Sequence, residues 1–98
     1  MKKSKPIHPG EILSEEFLVP MKISQTRLAE DTGISLEEVA KIIEGKSPVT
    51  PNAALRLSLY FGLSERFWLN LQSRYDLETE KDKVADKLKE EVRILQAA

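Results

Sequence analysis

The sequence has no cysteine and only one histidine, so the side chains that most often hold metals or carry out catalysis are scarce. Without cysteine, neither a disulfide framework nor a thiolate metal site can form. The one histidine, His8, is not evidently paired with a nucleophile and an orienting acid. It precedes Pro9 at an expected helix start, where a capping role is the favoured interpretation. We therefore expect a protein that is not an enzyme and has no cofactor or metal site.

Long apolar segments are also missing from the chain. None approaches the roughly 20 residues that a membrane-spanning helix requires. The three lysines near the start, Lys2, Lys3 and Lys5, are followed by no apolar stretch, which is unlike a secretory signal. The lysines are expected to form a basic arm that either attracts phosphates without sequence preference or, as we slightly favour, only makes this end of the chain more soluble. We expect a cytoplasmic protein without a membrane partner.

Excess positive charge, which is usual in DNA-binding domains, is absent as well: 15 basic and 16 acidic residues give a net charge of −1. The charge is uneven, because residues 1–75 carry ten Lys or Arg and nine Asp or Glu, whereas residues 76–98 carry five and seven. One copy should therefore bind DNA weakly, and a homodimer would have to supply the remaining affinity.

Helix signals are frequent along the sequence. Serine or threonine caps with flanking apolar residues mark four helix starts, at Ser24, Ser35, Thr50 and Ser64. Glycines that favour helix ends follow at Gly33, Gly45 and Gly62. The pattern predicts helices at about 9–19, 24–32, 35–44, 50–61, 64–75 and 79–96, with Pro20 closing the first and no β-strand. The fourth helix is so apolar that we expect it to be central.

Residues 24–46 read SQTRLAEDTGISLEEVAKIIEGK and hold two of these helices joined by one glycine. Ala29 falls where the two helices would cross, and Gly33 can supply a positive φ at the turn. Ile34, Val39 and Ile42 are expected to face the core. This combination is typical of a helix-turn-helix, whose second helix enters the major groove of DNA. A plain helical hairpin is the alternative interpretation.

The outward residues of the second helix suggest which groups could contact DNA. Lys41 can donate to guanine or to phosphate, and Leu36 and Ala40 can contact a thymine methyl group. Glu37 can accept a hydrogen bond from cytosine N4, or its negative charge can stabilise the positive N-terminal end of the helix. For Glu38 we favour a capping role. Gln25 and the backbone amides near Thr50 and Asn52 are placed to hold phosphates. The predicted DNA-contacting residues are Gln25, Thr26, Ser35, Leu36, Glu37, Ala40, Lys41, Lys46, Ser47, Thr50 and Asn52.

An apolar surface is expected on the helix at 64–75. Phe67 and Trp68 could stack on bases, but their helical spacing favours packing in the core or between two copies. The predicted homodimer interface contains Phe67, Trp68, Leu69, Leu71 and Tyr75. The helix predicted at 79–96 carries an apolar stripe that consists of Val84, Leu88, Val92 and Leu95. The stripe packs either on the chain's own core or against a second chain.

Four segments resemble the HigA antitoxins, also called virulence-associated protein I, within the lambda-repressor-like XRE group. They are HPGEILSEEFL, the helix-turn-helix, GKSPVTPNAALRLSLYFG and SERFWLNLQSRYDL, which together cover about residues 7–77. The resemblance implies an all-α DNA-binding homodimer that binds double-stranded operator DNA and represses its own operon. It also implies a HigB-type toxin as partner, an mRNA-cleaving ribonuclease of the RelE type that the antitoxin neutralises.

The expected organisation is a flexible basic N-terminus at 1–6, a helix-turn-helix domain at 7–77 and an amphipathic C-terminal helix at 78–98. The fold is expected to be all-α, a five-helix lambda-repressor-like domain with a C-terminal helical extension. The expected function is sequence-specific DNA binding combined with toxin neutralisation. The alternative is a protein-interaction module that binds a toxin, or acts as an adaptor, with weak or no DNA binding.

Overall fold

The computed structural model of the protein describes residues 5–96, in which all regular structure is helical. Helix α1, at 9–21, consists of the consecutive stretches Pro9–Ile12, Leu13–Leu18 and Val19–Met21, of which the middle one is π-helical. The other helices are α2 (Gln25–Thr32), α3 (Leu36–Ile43), α4 (Pro51–Phe61) and α5 (Glu65–Glu91). The predicted all-α, five-helix fold is confirmed.

The structure bears on two further expectations, the basic N-terminal arm and the absence of a membrane-spanning helix. Lys2 and Lys3 of the predicted basic arm lie outside the described residues, and Lys5 is exposed. Among residues 5–96, no helix has both the length and the apolar composition needed to cross a bilayer.

The predicted helix starts are confirmed by side-chain caps. The hydroxyls of Ser24 and Ser35 accept the backbone amide three residues farther along, at 3.0 and 3.1 Å. Thr50 and Ser64 cap α4 and α5 with their hydroxyls in a similar way. Each hydroxyl satisfies an amide that has no acceptor within its own helix, which is why these short polar residues set the helix boundaries.

The end of α1 differs from the prediction. Pro20 lies inside the last turn instead of closing the helix, which ends at Lys22 with a φ of 57°. The amide of Val19 donates to the carbonyl of Ser14, five residues back, as in a π-helix. Because proline cannot donate and its ring crowds the preceding turn, the wider turn before it allows the helix to continue.

The two separate C-terminal helices predicted at 64–75 and 79–96 are one uninterrupted helix, so this prediction was wrong. The junction contains neither glycine nor proline, and Arg74 Nε donates to Glu78 Oε1 across it at 2.9 Å. Such i, i+4 pairs favour helix continuation. The helix ends at Glu91, earlier than predicted, and the side chains of residues 92–96 are exposed, so no packing stabilises further turns.

The hydrophobic core surrounds Trp68, whose side chain is fully buried. Phe17 of α1 packs against it with ring centroids 5.2 Å apart, and against Phe61 of α4 at 4.8 Å. The core therefore joins α1, α4 and the first half of α5. The buried apolar residues are Leu13, Leu18, Leu28, Ile34, Val39, Ile42, Val49, Ala53, Ala54, Leu57 and Trp68.

Helix α4 is less enclosed than its composition suggested. Its inner face, with Ala54 and Leu57, is completely buried, but Leu59 is 85% exposed and Leu55 is 47% exposed. The expectation of a central helix is therefore correct for one face only.

The C-terminal part of α5 extends away from the rest of the fold. The molecule measures 56 × 31 × 21 Å, and nearly all side chains after residue 80 are exposed. Within the predicted apolar stripe, Val84 is half-buried, whereas Leu88, Val92 and Leu95 are exposed. Most of the stripe thus has no cover from its own chain, and a role as a seam with a second chain stays a prediction.

Candidate nucleic-acid interface

Helices α2 and α3 meet in the geometry that the sequence predicted. Gly33 joins them with a φ of 78°, and Ala29 is half-buried and packs against the hydrophobic core. Thr32 Oγ1 donates to the carbonyl of Leu28 at 2.6 Å and accepts from the amide of Ile34 at 3.2 Å. These bonds fix both sides of the turn. The three residues expected to face inward are buried: Ile34, Val39 and Ile42.

The outer face of α3 remains accessible. Leu36 is 48% exposed, Glu37 and Lys41 are exposed, and Ala40 is half-buried. No other element within residues 5–96 covers this face, so it is free to contact a groove.

A shallow concave surface of about 490 Å³ lies beside α3 and brings together residues that are distant in sequence. Six of its lining residues belong to the predicted DNA-contacting set: Ser35, Glu37, Lys41, Ser47, Thr50 and Asn52. We call this surface the α3 groove. Its two remaining lining residues, Glu38 and Pro48, were not predicted to contact DNA.

The remaining predicted residues lie outside the α3 groove. Leu36 and Ala40 sit on α3 itself, and Gln25 lines a separate hollow at the start of α2. Thr26 is exposed in the first turn of α2. Lys46 lines a different hollow on the other side of the loop, toward α5. The predicted set therefore divides into a compact group and a more scattered one.

Arg56 was not predicted to belong to this region. Its Nε donates to Asn52 Oδ1 at 2.8 Å, and its Nη1 donates to the carbonyl of Thr32 at 2.9 Å. The guanidinium group therefore ties the start of α4 to the end of α2 and fixes the Asn52 side chain at the groove. The i, i+4 spacing of Asn52 and Arg56 was the available sequence signal.

The charge of the helix-turn-helix is negative and internally compensated. Residues 25–46 contain three cations and five carboxylates, a net charge of −2. All three cations lie near a carboxylate, with Lys41 Nζ 3.1 Å from Glu37 Oε1 and Lys46 Nζ 3.7 Å from Glu44 Oε1. Arg27 is 3.4 Å from Asp31. This surface therefore offers little excess positive charge to phosphates.

His8 caps α1, as the sequence suggested. Its Nδ1 accepts the amide of Gly10 at 2.9 Å, and its ring packs edge-on against Tyr75 of α5 with centroids 4.8 Å apart. Burial lowers the pKa of His8 below 6.5, while a backbone hydrogen bond to Ser47 and the charge of Asp76 act in the opposite direction. The acceptor role of Nδ1 also requires the neutral imidazole.

The predicted homodimer residues are placed unequally. Trp68 is fully enclosed in its own subunit, which corrects its assignment to a surface between two copies. The other four are half-buried, so their contact with a second copy stays a prediction: Phe67, Leu69, Leu71 and Tyr75.

Comparisons with known proteins agree with this architecture. A helix-turn-helix family profile matches residues 15–68. Virulence-associated protein I of Dichelobacter nodosus is 40% identical over 91% of this chain and 78% of its own length. Antitoxin HigA-1 of Vibrio cholerae is 39% identical over 76% of this chain and 70% of its own. The Pseudomonas aeruginosa antitoxin HigA, solved with the higBA promoter, has a TM-score of 0.90 at 38% identity, covering 93% and 99% of the two chains.

Proposed function

This chain belongs to the helix-turn-helix family that includes the HigA antitoxins, and we propose that it represses its own operon and neutralises a ribonuclease toxin. It acts by binding, without a catalytic step of its own. Because its targets are operator DNA and a toxin that cleaves mRNA, its place of action is the cytoplasm.

The observation that carries the proposal is the accessible face of α3 beside the α3 groove. Leu36, Glu37 and Lys41 project from the first two turns of α3, where a recognition helix meets base edges. Ser47 and Thr50 line the same groove and supply neutral polar groups to phosphates. The relative solved with the higBA promoter has the same fold.

A homodimer completes this proposal. One α3 reads only a few base pairs, whereas two copies related by a twofold axis place their recognition helices about 34 Å apart on one side of the duplex. The second copy also doubles the number of phosphate contacts, which compensates for the low positive charge of one subunit.

A binding titration tests the DNA part. The full chain is titrated into a labelled duplex from upstream of its own gene and into a shuffled duplex of equal length. We expect the upstream duplex to bind about 10³-fold more tightly. Ala40→Glu, which adds a carboxylate to the α3 face, should abolish the difference, whereas the matched control Ser73→Glu on exposed α5 should not. Equal binding to both duplexes would contradict repression by sequence-specific binding.

The toxin part has its own test. A HigB-type ribonuclease is assayed on mRNA with and without an equimolar amount of the full chain. We expect cleavage to stop and the two proteins to elute together on size exclusion. Undiminished cleavage and separate elution would contradict an antitoxin role.

A second candidate function, a protein-interaction module without a DNA role, is favoured by the negative charge of the helix-turn-helix. Every cation of residues 25–46 is paired with a carboxylate, which reduces attraction to DNA. This candidate predicts toxin inhibition together with equal, weak binding to both duplexes. The two assays therefore distinguish the two functions.

A further inference from the structure

Glu37 and Lys41 form an ion pair at the most accessible part of α3. Lys41 Nζ lies 3.1 Å from Glu37 Oε1, and the two side chains are 51% and 78% exposed, the lysine being the less exposed. Both line the α3 groove. A hydrogen-bond donor and an acceptor are thus presented side by side, because residues one helical turn apart lie on the same face.

The major-groove edge of a base pair also presents an acceptor and a donor side by side. Guanine offers O6 and N7 as acceptors, and the N4 amino group of cytosine is a donor. Because N4 donates to O6 within the base pair, these atoms are separated by an ordinary hydrogen-bond distance of about 2.9 Å. The spacing of the Glu37 and Lys41 charged groups therefore matches the spacing of the groups that they would contact.

We propose that Glu37 and Lys41 read one G·C base pair together in each half-site. Lys41 Nζ donates to guanine O6 and N7 on one strand, and the Glu37 carboxylate accepts from cytosine N4 on the other. The inference rests on the proposed DNA-binding function and specifies its base preference. Because an exposed ion pair of this kind is only weakly stable in water, its members can turn toward the bases with little cost.

The orientation of the pair determines which base pairs are rejected. A C·G pair places the cytosine amino group before the lysine and the guanine acceptors before the glutamate, so both contacts become repulsive. An A·T pair places thymine O4 before the glutamate, which is repulsive, and leaves the lysine only adenine N7 as an acceptor beside the adenine amino group. A T·A pair matches in hydrogen bonding, but the thymine methyl group replaces the second acceptor that N7 offers to the lysine. The expected order is G·C, then T·A, then the two reversed pairs.

The pair also explains how a negatively charged helix-turn-helix could select a site. On a phosphate backbone the Glu37 carboxylate is repelled, and the Lys41 ammonium is already partly neutralised by it. Only a base edge with an acceptor beside a donor satisfies both groups. Poor binding to random DNA is then part of the selectivity, since specificity is a difference between two affinities.

Selection of binding sites from randomised duplexes tests the proposal with the full chain. We expect one position of each half-site to favour G·C over C·G by about tenfold. The double variant Glu37→Lys/Lys41→Glu keeps the ion pair and the net charge but reverses its direction, so the preferred pair should become C·G. As a matched control, Arg74→Glu/Glu78→Arg reverses a similar i, i+4 pair on α5 and should leave the selected site unchanged.

A single variant covers the case in which the reversed pair does not fold. Glu37→Gln keeps the length of the side chain but can both donate and accept, so the discrimination against C·G should fall from about tenfold to the smaller part that Lys41 supplies. Binding to random DNA should rise at the same time. If the wild-type chain selects no site, both the DNA-binding function and this inference fail. If the wild-type chain selects a site but the variants select the same base pairs, DNA binding stands and only the joint reading of one G·C pair by Glu37 and Lys41 fails.

Discussion

Gly10 of α1 lies directly against the backbone of Ile42 in α3. A β carbon at residue 10 would be 1.8 Å from the Ile42 carbonyl oxygen and 2.6 Å from its carbonyl carbon. Backbone atoms cannot yield as a flexible side chain does, so only glycine permits this approach of the two helices. The position of the recognition helix therefore depends on a residue that lies outside the helix-turn-helix.

Replacement of Gly10 by alanine should push α1 away from α3. We expect Gly10→Ala to lower the free energy of unfolding by about 2 kcal/mol or more, despite the better helix propensity of alanine. Urea denaturation measures the change. Gly62→Ala is the comparison, because residue 62 has a φ of 71° but no atom near a β carbon, so only backbone strain is added. A Gly10→Ala protein as stable as wild type would contradict the close packing.

Gln72 connects α5 to the loop before α4. Its Oε1 accepts the amide of Val49 at 2.8 Å, and both residues are buried. In Gln72→Leu that amide loses its partner, so we expect a loss of about 1–3 kcal/mol of unfolding free energy. The exposed control, Gln96→Leu, should be nearly neutral. Faster hydrogen exchange of the Val49 amide in the variant would locate the effect, and unchanged exchange would count against it.

Stability should depend on pH through His8. Because burial lowers its pKa in the folded chain, the unfolded chain binds more protons between that lowered pKa and 6.5. Stability contributed by the neutral imidazole is therefore complete above pH 6.5, falls as the pH drops through this interval, and is lost below the folded pKa. His8→Asn keeps a capping side chain but does not titrate in this range. Urea titrations at several pH values should show a smaller pH dependence for the variant than for wild type.

Lys22 adopts a left-handed conformation that favours glycine, with a φ of 57°. Lys22→Gly should therefore stabilise the fold by about 0.5–1 kcal/mol, the strain relieved being larger than the added entropy of the unfolded chain. Lys22→Ala retains the β carbon and should bring no such gain. Thermal unfolding of the two variants measures the difference, and equal midpoints would contradict the strain argument.

Lys41 is expected to contribute to both the affinity and the specificity of DNA binding. Lys41→Ala should weaken binding to the upstream duplex about tenfold and relax the preference at one base pair. Lys46→Ala should instead weaken binding equally for all sequences, as loss of a phosphate contact does. Site selection followed by binding titrations separates the two effects. An unchanged preference profile in Lys41→Ala would mean that α3 does not read bases through this residue.

The helix boundaries at Ser24, Ser35, Thr50 and Ser64 could be read from the sequence because a cap depends on a few adjacent residues. The inward direction of Val39 and the outward direction of Lys41 follow equally from helical periodicity. These local rules were sufficient to predict the all-α class of the fold and which face of α3 points outward.

Contacts between distant residues could not be read in the same way. The buried bond from Val49 to Gln72 and the approach of Gly10 to Ile42 arise only when the helices pack. Trp68 illustrates the same limit, since helical spacing marks a side chain as apolar but does not say whether its own chain or another covers it. The prediction of two separate helices did not take account of the i, i+4 pair of Arg74 and Glu78, which favours a continuous α5.

The projecting half of α5 has a lower local stability against unfolding than the rest of the molecule. Its turns beyond residue 80 are maintained chiefly by their own amide ladder, whereas the turns around Trp68 share in the cooperative unfolding of the whole domain. Opening of these turns breaks few side-chain contacts, so their amide hydrogens should exchange faster than those of the turns around Trp68.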